Sequence, residues 1–403
     1  MPSAERFVRH HHRQTDHAIS RAFARLRGHA PAWSSFTTLL DVARRRAPGL
    51  LRAPSVAGRH PGVDTLEHLA RAYDHYVRRV ESWSGSDAGW HGAAASLAQH
   101  AIGVYRVPAF LASAWYTADD DAWGDAKRRW FTAHAAGRSF RTLDLPIRMS
   151  RRMEHLFLQS PAHADVGRAM RHAELLTLGA DAAFADAILA TRPGQSLDHG
   201  DFWRTAWIFL IANARDIPRD QLAPIIDFLD GVRHEHVSVE TPSGIEDRGP
   251  QDPQFSLKGR TVRSVLRLMV EWHRALGRSP GRLEWAPSLH RPMTVELPAE
   301  DEDAPPTCWE LVELTSAAML RQEGAALKHC VASYGRLCAN GRARIWSLRR
   351  RRDGPPRPVL TIEVDPRRRA IVQVRGLNNR SPIGRSWQLV QRWAQREQLR
   401  LSC

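Results

Sequence analysis

The sequence predicts a mainly α protein, in which a large helical N-terminal region precedes a small α+β C-terminal domain. Apolar residues recur every three to four positions through most of the N-terminal part, a period typical of amphipathic helices. Runs that alternate apolar with polar residues cluster near the C-terminus, as expected of strands. An acidic, proline-rich segment lies between the two patterns. The predicted division is a helical region over 1–295, a linker over 296–306 and a basic α+β domain over 307–403.

In the N-terminal region, AERFVRHHHRQTDHAISRAFARLRG (4–28) and LEHLARAYDHYVRRVESW (66–83) each predict one long helix. The segment TPSGIEDRGPQDP (241–253) contains glycine and proline and predicts a break between helices. Trp203 and Trp207 lie one helical turn apart, so we expect them to pack in a core between helices. Further helices are predicted over 91–104, 122–135, 161–176, 199–214, 219–233 and 258–276.

Composition limits the possible classes of protein. The chain has 403 residues, of which 43% are hydrophobic and 25% charged, as in globular proteins. It has no apolar run long enough for a membrane span and no apolar stretch of a secretory signal, so we expect a cytoplasmic protein without a membrane partner. Its four cysteines form no CxxC pair, which indicates reduced thiols. No phosphate-loop, serine-nucleophile or zinc-protease motif occurs, so no cofactor and no metal are expected.

Positive charge is concentrated in the last quarter of the chain. Residues 306–403 contain 19 Lys and Arg against 7 Asp and Glu, a net charge of +12, whereas residues 1–305 contain 39 against 36. Codon bias toward arginine acts on the whole chain, so it does not account for a regional excess. Such a block favours an anionic partner, most often nucleic acid.

The elements of the C-terminal domain are predicted in the order ααβββα. Thr307 and Glu310 form a T-x-x-E capping box, which predicts a helix from Thr307 to about Glu323 that Gly324 ends. The later elements are predicted as a helix over 325–339, strands over 344–350, 358–364 and 370–376, and a helix over 384–399. This order is typical of an antiparallel sheet covered by helices on one face.

Three motifs follow one another in this domain: EGAALKHCVASY (323–334), TIEV (361–364) and QVRGLNN (373–379). With them the chain resembles the PcfJ-like protein family. Upstream, GRSFRTLDLPIRMSRRMEHLF (137–157) and FSLKGR (255–260) are similar to segments of its longer members. The resemblance implies an association with plasmids, phages and other mobile elements of bacteria. It implies no reaction, so no catalytic role is transferred from it.

The first motif contains a histidine beside a cysteine. On a helix, Leu327, Cys330, Tyr334 and Cys338 fall on one stripe, which predicts that Cys330 is a core residue. Adjacent helical residues do not face each other, so His329 is poorly placed to activate Cys330 as a nucleophile. A separate role for His329, as an acid or base or as a phosphate contact, fits better.

Two of the predicted strands carry polar residues on one face. The alternation of apolar residues places Glu363 opposite Gln373 and Thr361 opposite Arg375. This face is interpreted either as a solvated surface with a diagonal Glu363–Arg375 ion pair or as a ligand site.

The following loop and the arginine runs indicate recognition of nucleic acid. Gly376 would let a ligand approach the backbone, and the amides of Asn378 and Asn379 suit phosphates or base edges. Trp346, inside RARIWSLRRRRDGPPR (342–357), is expected to stack on a base. The alternative is a solvated hairpin whose arginines reflect codon bias. The predicted nucleic-acid-binding residues are Arg349, Arg350, Arg351, Arg352, Arg367, Arg368, Arg369, Arg375, Asn378 and Asn379.

These observations leave three functions open. The first is a binding module whose C-terminal domain grips DNA or RNA while the helical region engages a protein partner or more nucleic acid. The second is an enzyme acting on nucleic acid or nucleotides, a nuclease or a transferase. Its predicted catalytic residues are His329, Tyr334, Glu363 and Gln373. The third is a scaffold of a conjugation-type complex.

Overall fold

The computed structural model describes residues 2–54, 59–116, 123–162, 164–241, 244–278, 283–298, 306–327, 329, 331–351, 354–377 and 380–401. Helices dominate these residues, which confirms the mainly α prediction. The chain forms two compact units: Met1–Ala180 with Gln195–Gly200, and Asp181–Gly194 with Asp201–Cys403. No helix in the described ranges combines the length and the hydrophobicity that a membrane span needs.

The first unit is built from helices around one apolar core. Phe36, Leu66, Leu97, Trp115 and Phe157 are fully buried there. The helices are α1 Pro2–Arg25, α2 Ala30–Arg46, α3 Pro61–Arg71, α4 Gly89–Ile102, α5 Ser113–Tyr116, α6 Gly124–Ala135, α7 Arg151–Leu158 and α8 Val166–Thr177. The long N-terminal helix and the helices near 91–104, 122–135 and 161–176 agree with the sequence prediction.

The single helix predicted over 66–83 is wrong. α3 begins earlier, after His60, whose side chain accepts a hydrogen bond from the amide of Val63. Beyond the end of α3, the hydroxyl of Tyr76 donates to the carbonyl oxygen of Leu69 at 2.9 Å. Tyr76 fits the helical period in the sequence, but in the structure it stabilises the turn that follows α3 and is not part of the helix.

The chain continues through α9 Ala182–Leu189, α10 Arg192–Gln195, α11 Gly200–Ala212, α12 Arg219–Arg233 and α13 Val262–Arg278. The stacked rings of Trp203 and Trp207 are buried, with centroids 4.7 Å apart, as predicted. A hairpin of β1 His236–Thr241 and β2 Gly244–Pro250 separates α12 from α13. The break predicted over 241–253 therefore contains a paired strand. Its glycine and proline residues favoured the prediction of a loop.

A six-stranded sheet organises the C-terminal part of the second unit. Its strands are β3 Met293–Leu297, β4 Thr307–Glu313, β5 Arg344–Arg351, β6 Arg357–Asp365, β7 Ala370–Arg375 and β8 Arg400–Leu401, in this spatial order. All neighbours are antiparallel except β7 and β8. The accompanying helices are α14 Ala317–Leu327, α15 Gly335–Ala339 and α16 Gly384–Arg396. The three strands and the last helix predicted from the sequence are confirmed.

The helix predicted from Thr307 to Glu323 is wrong. Residues 307–313 form β4, which pairs with β3 on one side and β5 on the other. In the segment TCWELVE, polar and apolar residues alternate as in a strand. Trp309 and Leu311 are buried in the sheet core. Pairing with two strands outweighs the local capping signal. The predicted order ααβββα is therefore incomplete, because strands precede the first helix.

The end of the first helix also differs from the prediction, because Gly324 lies inside α14. A Cβ at this position would lie 2.9 Å from the carbonyl oxygen of His329. Glycine therefore allows the chain after α14 to fold back closely onto the helix, which brings His329 toward the sheet.

Helices cover both faces of the sheet, whereas one covered face was predicted. On one face, Trp346 and Ile362 pack against Val390 and Trp393 of α16. The other face carries Ile345, which packs against α14 and the segment that follows it. Trp346 has no exposed surface and its ring centroid is 4.8 Å from that of Trp393. The prediction that Trp346 stacks on a base is therefore wrong.

Replacing Trp346 by phenylalanine should lower the free energy of unfolding by about 2 kcal/mol, because it leaves a cavity in a closed core. The same replacement at the half-buried Trp387 should cost less than about 1 kcal/mol. Urea unfolding of both variants measures the difference. Equal losses, or a selective loss of nucleic-acid affinity in W346F, would contradict the core position of Trp346.

Candidate functional site

The polar side chains of β6 point away from α16. Glu363 lies opposite Gln373 of β7 and Thr361 lies opposite Arg375, as the sequence predicts. A bulge follows Glu363 in the ladder. The expected solvated face is not observed at β6, because Thr361 and Glu363 are 7% and 8% exposed. α14 and the short helical segment Val331–Tyr334 cover these two residues.

Thr361 links a carboxyl group to an imidazole ring. Its hydroxyl donates to Oε1 of Glu323 at 2.9 Å and lies 3.0 Å from Nε2 of His329. Glu323 comes from the last turns of α14 and is 1% exposed. Its second oxygen, Oε2, is buried without a hydrogen-bond partner among the described residues. Thr361 therefore connects the buried carboxyl group of Glu323 to the half-buried imidazole of His329.

Burial controls the protonation of both ends of this contact. It raises the pKa of Glu323, and the neighbouring hydroxyls of Ser347 and Thr361 only partly oppose this shift. It lowers the pKa of His329 to about 4. His329 is therefore neutral at pH 7, so it can accept or donate a hydrogen bond but supplies no positive charge to a phosphate.

A second buried pair lies two residues further along β6, on the same face of the sheet. The hydroxyl of Tyr334 donates to Oε2 of Glu363 at 3.2 Å. Burial raises the pKa of Glu363 to about 7, although the charge of Arg192 and the Tyr334 hydrogen bond lower it. Cys338 lies nearby, and burial together with the charge of Glu363 raises the pKa of its thiol to about 12. This thiol is not a nucleophile at neutral pH.

We call Glu323, His329, Tyr334, Thr361 and Glu363 the buried polar network. Three of the four residues predicted as catalytic belong to it, and Gln373 borders it through its pairing with Glu363. Sequence reasoning did not select Glu323, although it lies in the motif EGAALKHCVASY, and it placed Thr361 on the polar face without a catalytic role. Cys330 lies outside the described residues.

The predicted arginine residues form two separate groups. Arg349, Arg350 and Arg351 end β5, and Arg375 ends β7 opposite Thr361, at the middle of β6. Arg367 to Arg369 lie in the turn after β6, at the opposite end. β6 has nine residues, so about 27 Å separates the two ends. The two groups are therefore separate clusters along β6.

Folding adds three arginines to the first group. Arg357 pairs with Arg350 across the strands, Arg380 accepts a hydrogen bond from the amide of Gly376 through its carbonyl oxygen, and Arg385 begins α16. We call this set the arginine edge: Arg349, Arg350, Arg351, Arg357, Arg375, Arg380 and Arg385. The predicted residues Arg352, Asn378 and Asn379 lie outside the described residues.

Contacts differ within these groups. Arg351 lies 3.7 Å from a carboxylate oxygen of Glu310, and Nε of Arg349 donates to the Ser347 hydroxyl at 3.2 Å. In the opposite turn, Arg369 has a φ of +46° and donates to the carbonyl oxygen of Glu397 at 2.9 Å. That arginine therefore stabilises the junction with the end of α16.

Gly376 is explained by packing within the protein. It is buried, and a Cβ at this position would lie 3.2 Å from the carbonyl oxygen of Val359 on β6. The backbone that Gly376 approaches closely is therefore a neighbouring strand. The described residues contain no cluster of three or more His, Cys, Asp or Glu side chains suited to a metal ion.

In a comparison with family models, residues 308–390 match the family described as PcfJ-like protein. Residues 308–390 form a PcfJ-like domain. The match confirms the resemblance drawn from the C-terminal motifs. It runs from β4 into α16, so it contains the whole buried polar network and the whole arginine edge. Neither the curated proteins nor the solved structures gave a match to the chain.

In the PcfJ-like domain, Glu363→Gln should change the dependence of stability on pH. Between its ordinary pKa of 4.5 and about 7, Glu363 keeps a proton in the folded state that the unfolded state releases. The wild-type protein therefore loses stability as pH rises through this window. The free energy of unfolding of E363Q relative to wild type should increase between pH 5 and pH 8 by at most about 3 kcal/mol. Parallel urea-unfolding profiles would contradict the raised pKa.

Thr361→Val should lower the free energy of unfolding by about 1–3 kcal/mol, because a buried carboxyl group loses its hydrogen-bond donor while side-chain volume is kept. Thr361→Ser retains the hydroxyl and should recover much of this loss. Urea unfolding at pH 7 compares the two variants. If both variants were equally stable, the hydroxyl contact with Glu323 and His329 would contribute nothing.

Proposed function

We propose that the second unit binds nucleic acid through the arginine edge. The observation that carries this proposal is a set of seven arginines, six at one end of the sheet and Arg375 half-way along it. Within the described residues, Arg350, Arg357 and Arg380 form no ion pair with a carboxylate, and all three are exposed. Guanidinium groups without carboxylate partners are available for phosphate oxygens, which they bind through paired N–H donors.

The neighbouring surface supports a polymer rather than a single small anion. The arginine edge draws residues from β5, β6, β7, the loop after β7 and the start of α16. Two apolar side chains beside it are exposed, Leu377 at 43% and Ile383 at 81%, and they can contact sugars or bases. The partner is DNA or RNA, and the family resemblance favours nucleic acid of a mobile element. The helical first unit is available for a protein partner.

Binding of the full-length protein to labelled single- and double-stranded DNA and RNA tests the proposal. Arg357→Gln combined with Arg380→Gln should weaken affinity about tenfold, because two phosphate contacts are lost. On duplex DNA the slope of log affinity against log salt should become shallower by about 2, at about 0.9 per contact. Fluorescence anisotropy in a salt titration measures both quantities.

The matched control is Arg367→Gln combined with Arg368→Gln. It removes the same charge from exposed positions at the opposite end of β6. We expect this control to change affinity less than about twofold. If both double variants weakened affinity equally, binding would depend on the net charge of the protein and not on the position of the arginines. No binding to any of the four polymers would reject the proposal and favour a scaffold role.

A second candidate is acid–base chemistry on the bound nucleic acid, as in a nuclease or a transferase. The specific observation in its favour is the pKa of about 7 for Glu363 beside Tyr334, since a useful general acid or base titrates near the working pH. If the buried polar network is catalytic, His329→Gln should abolish turnover of the bound polymer and preserve its affinity. Turnover that survives in H329Q would exclude His329 from this role.

A further inference from the structure

A pocket opens on the α16 face of the sheet beside the arginine edge. Its volume is about 230 Å³, and its lining includes Thr307, Trp309, Arg350, Arg385 and Ser386. These residues come from β4, β5 and the first turn of α16, elements that share one core. The pocket is separate from the buried polar network, which lies on the opposite face of the same sheet.

Two guanidinium groups line this pocket, and a protein contact positions each of them. The Arg350 guanidinium carbon lies 5.8 Å from the ring centroid of Trp309, a cation–π contact. Nη1 of Arg385 donates to the carbonyl oxygen of Pro298 at 3.1 Å. Neither arginine forms an ion pair with a carboxylate in the part of the chain that the structure describes. A guanidinium has five N–H donors, so most donors of both groups remain for a ligand.

The first turn of α16 adds backbone donors to the same pocket. Ile383 occupies the N-cap and supplies no side-chain hydrogen bond to the helix. The Ser386 hydroxyl donates to the Ile383 carbonyl oxygen, so it does not cap the amides either. Amide N–H groups at a helix start lack intrahelical partners, and the helix dipole makes this end positive. α16 has 13 residues, long enough for both effects.

Trp309 provides an independent observation. It is 6% exposed, and its indole Nε1 is buried without a hydrogen-bond partner among the described residues. A buried indole N–H without an acceptor is unfavourable. The polar groups of Trp309, Arg350 and Arg385 are donors only, so an oxyanion, which supplies several acceptors at once, complements these three side chains.

We propose that this pocket binds the terminal phosphate of a nucleic-acid strand, held by Arg350, Arg385 and the first turn of α16. The proposal rests on the proposed function and names the part of the strand that this pocket recognises. A terminal phosphate carries a second negative charge and one fewer ester substituent than an internal phosphate. It suits a concave site with two guanidinium groups, while the strand continues over the arginine edge.

The test uses the full-length protein and one single-stranded sequence of about 12 nucleotides. This length lies within the site sizes of proteins that bind single-stranded nucleic acid. The strand carries a 5′-phosphate, a 3′-phosphate or no terminal phosphate, and the fluorescent label is placed at the other end. Deoxyadenosine monophosphate and inorganic phosphate serve as competitors. One terminal phosphate should increase affinity about tenfold at about 0.15 M salt, and the anisotropy titrations show which end is recognised.

Arg385→Gln should remove this preference, whereas Arg392→Gln should keep it. Arg392 is exposed on the same helix about two turns further on, so the control removes the same charge without touching the pocket. Arg350→Gln is the second pocket variant if R385Q loses its fold. Thermal unfolding of each variant checks that the fold is intact.

The outcomes separate this inference from the proposed function. If strands bind equally well with and without a terminal phosphate, the pocket proposal fails and the arginine edge stands. If the competitors bind in an Arg385-dependent way while no strand binds, both proposals fail, and the pocket is a mononucleotide or phosphate site. A terminal-phosphate preference that R385Q or R350Q abolishes and R392Q retains supports both.

Discussion

Strand β6 is covered by helices on both sides, and this constraint determines most of what surrounds it. Successive residues of β6 face opposite sides of the sheet, and both sides are buried under helices. Ile362 faces α16 in an apolar core, but Thr361 and Glu363 enter the interior beneath α14. A desolvated carboxyl or hydroxyl group is costly without a hydrogen-bond partner, so the covering segment must supply one for each. Tyr334 and Glu323 do so, and the close turn at Gly324 brings the covering chain within reach.

This arrangement also shapes the charge that the surface presents. Of the seven acidic residues in 306–403, Glu323 and Glu363 are buried, and burial raises the pKa of each carboxyl group. Glu310 lies beside Arg351, while Asp365 accepts the backbone amides of the turn that follows it. Few carboxylates remain to neutralise the arginine edge.

The sequence predicts those features that one element determines by itself. The alternation of apolar and polar residues predicted strands β5, β6 and β7 and the pairing of Glu363 with Gln373. Residue periodicity and turn-forming residues are local properties of the sequence. Thr307 to Glu310 satisfies a helix cap and a strand equally well, and only pairing with β3 and β5 decides between them. The contact between Glu323 and Thr361 joins residues far apart in the chain. Arg380 and Arg385 join the arginine edge through tertiary folding, which no local pattern encodes.

The buried polar network and the arginine edge share strand β6, so a displacement of this strand affects both. β5 carries Ser347 inside the sheet and Arg349 two residues later, whose Nε donates to the Ser347 hydroxyl. The charge of Arg349 also lowers the pKa of Glu323, against the larger effect of burial. One arginine therefore touches both features. A substitution in the buried polar network that shifts β5 would also displace the neighbouring arginines. It would then weaken binding even if the network had no catalytic role. Affinity and turnover must be measured on the same variants, because only a loss of turnover at unchanged affinity assigns chemistry to the network.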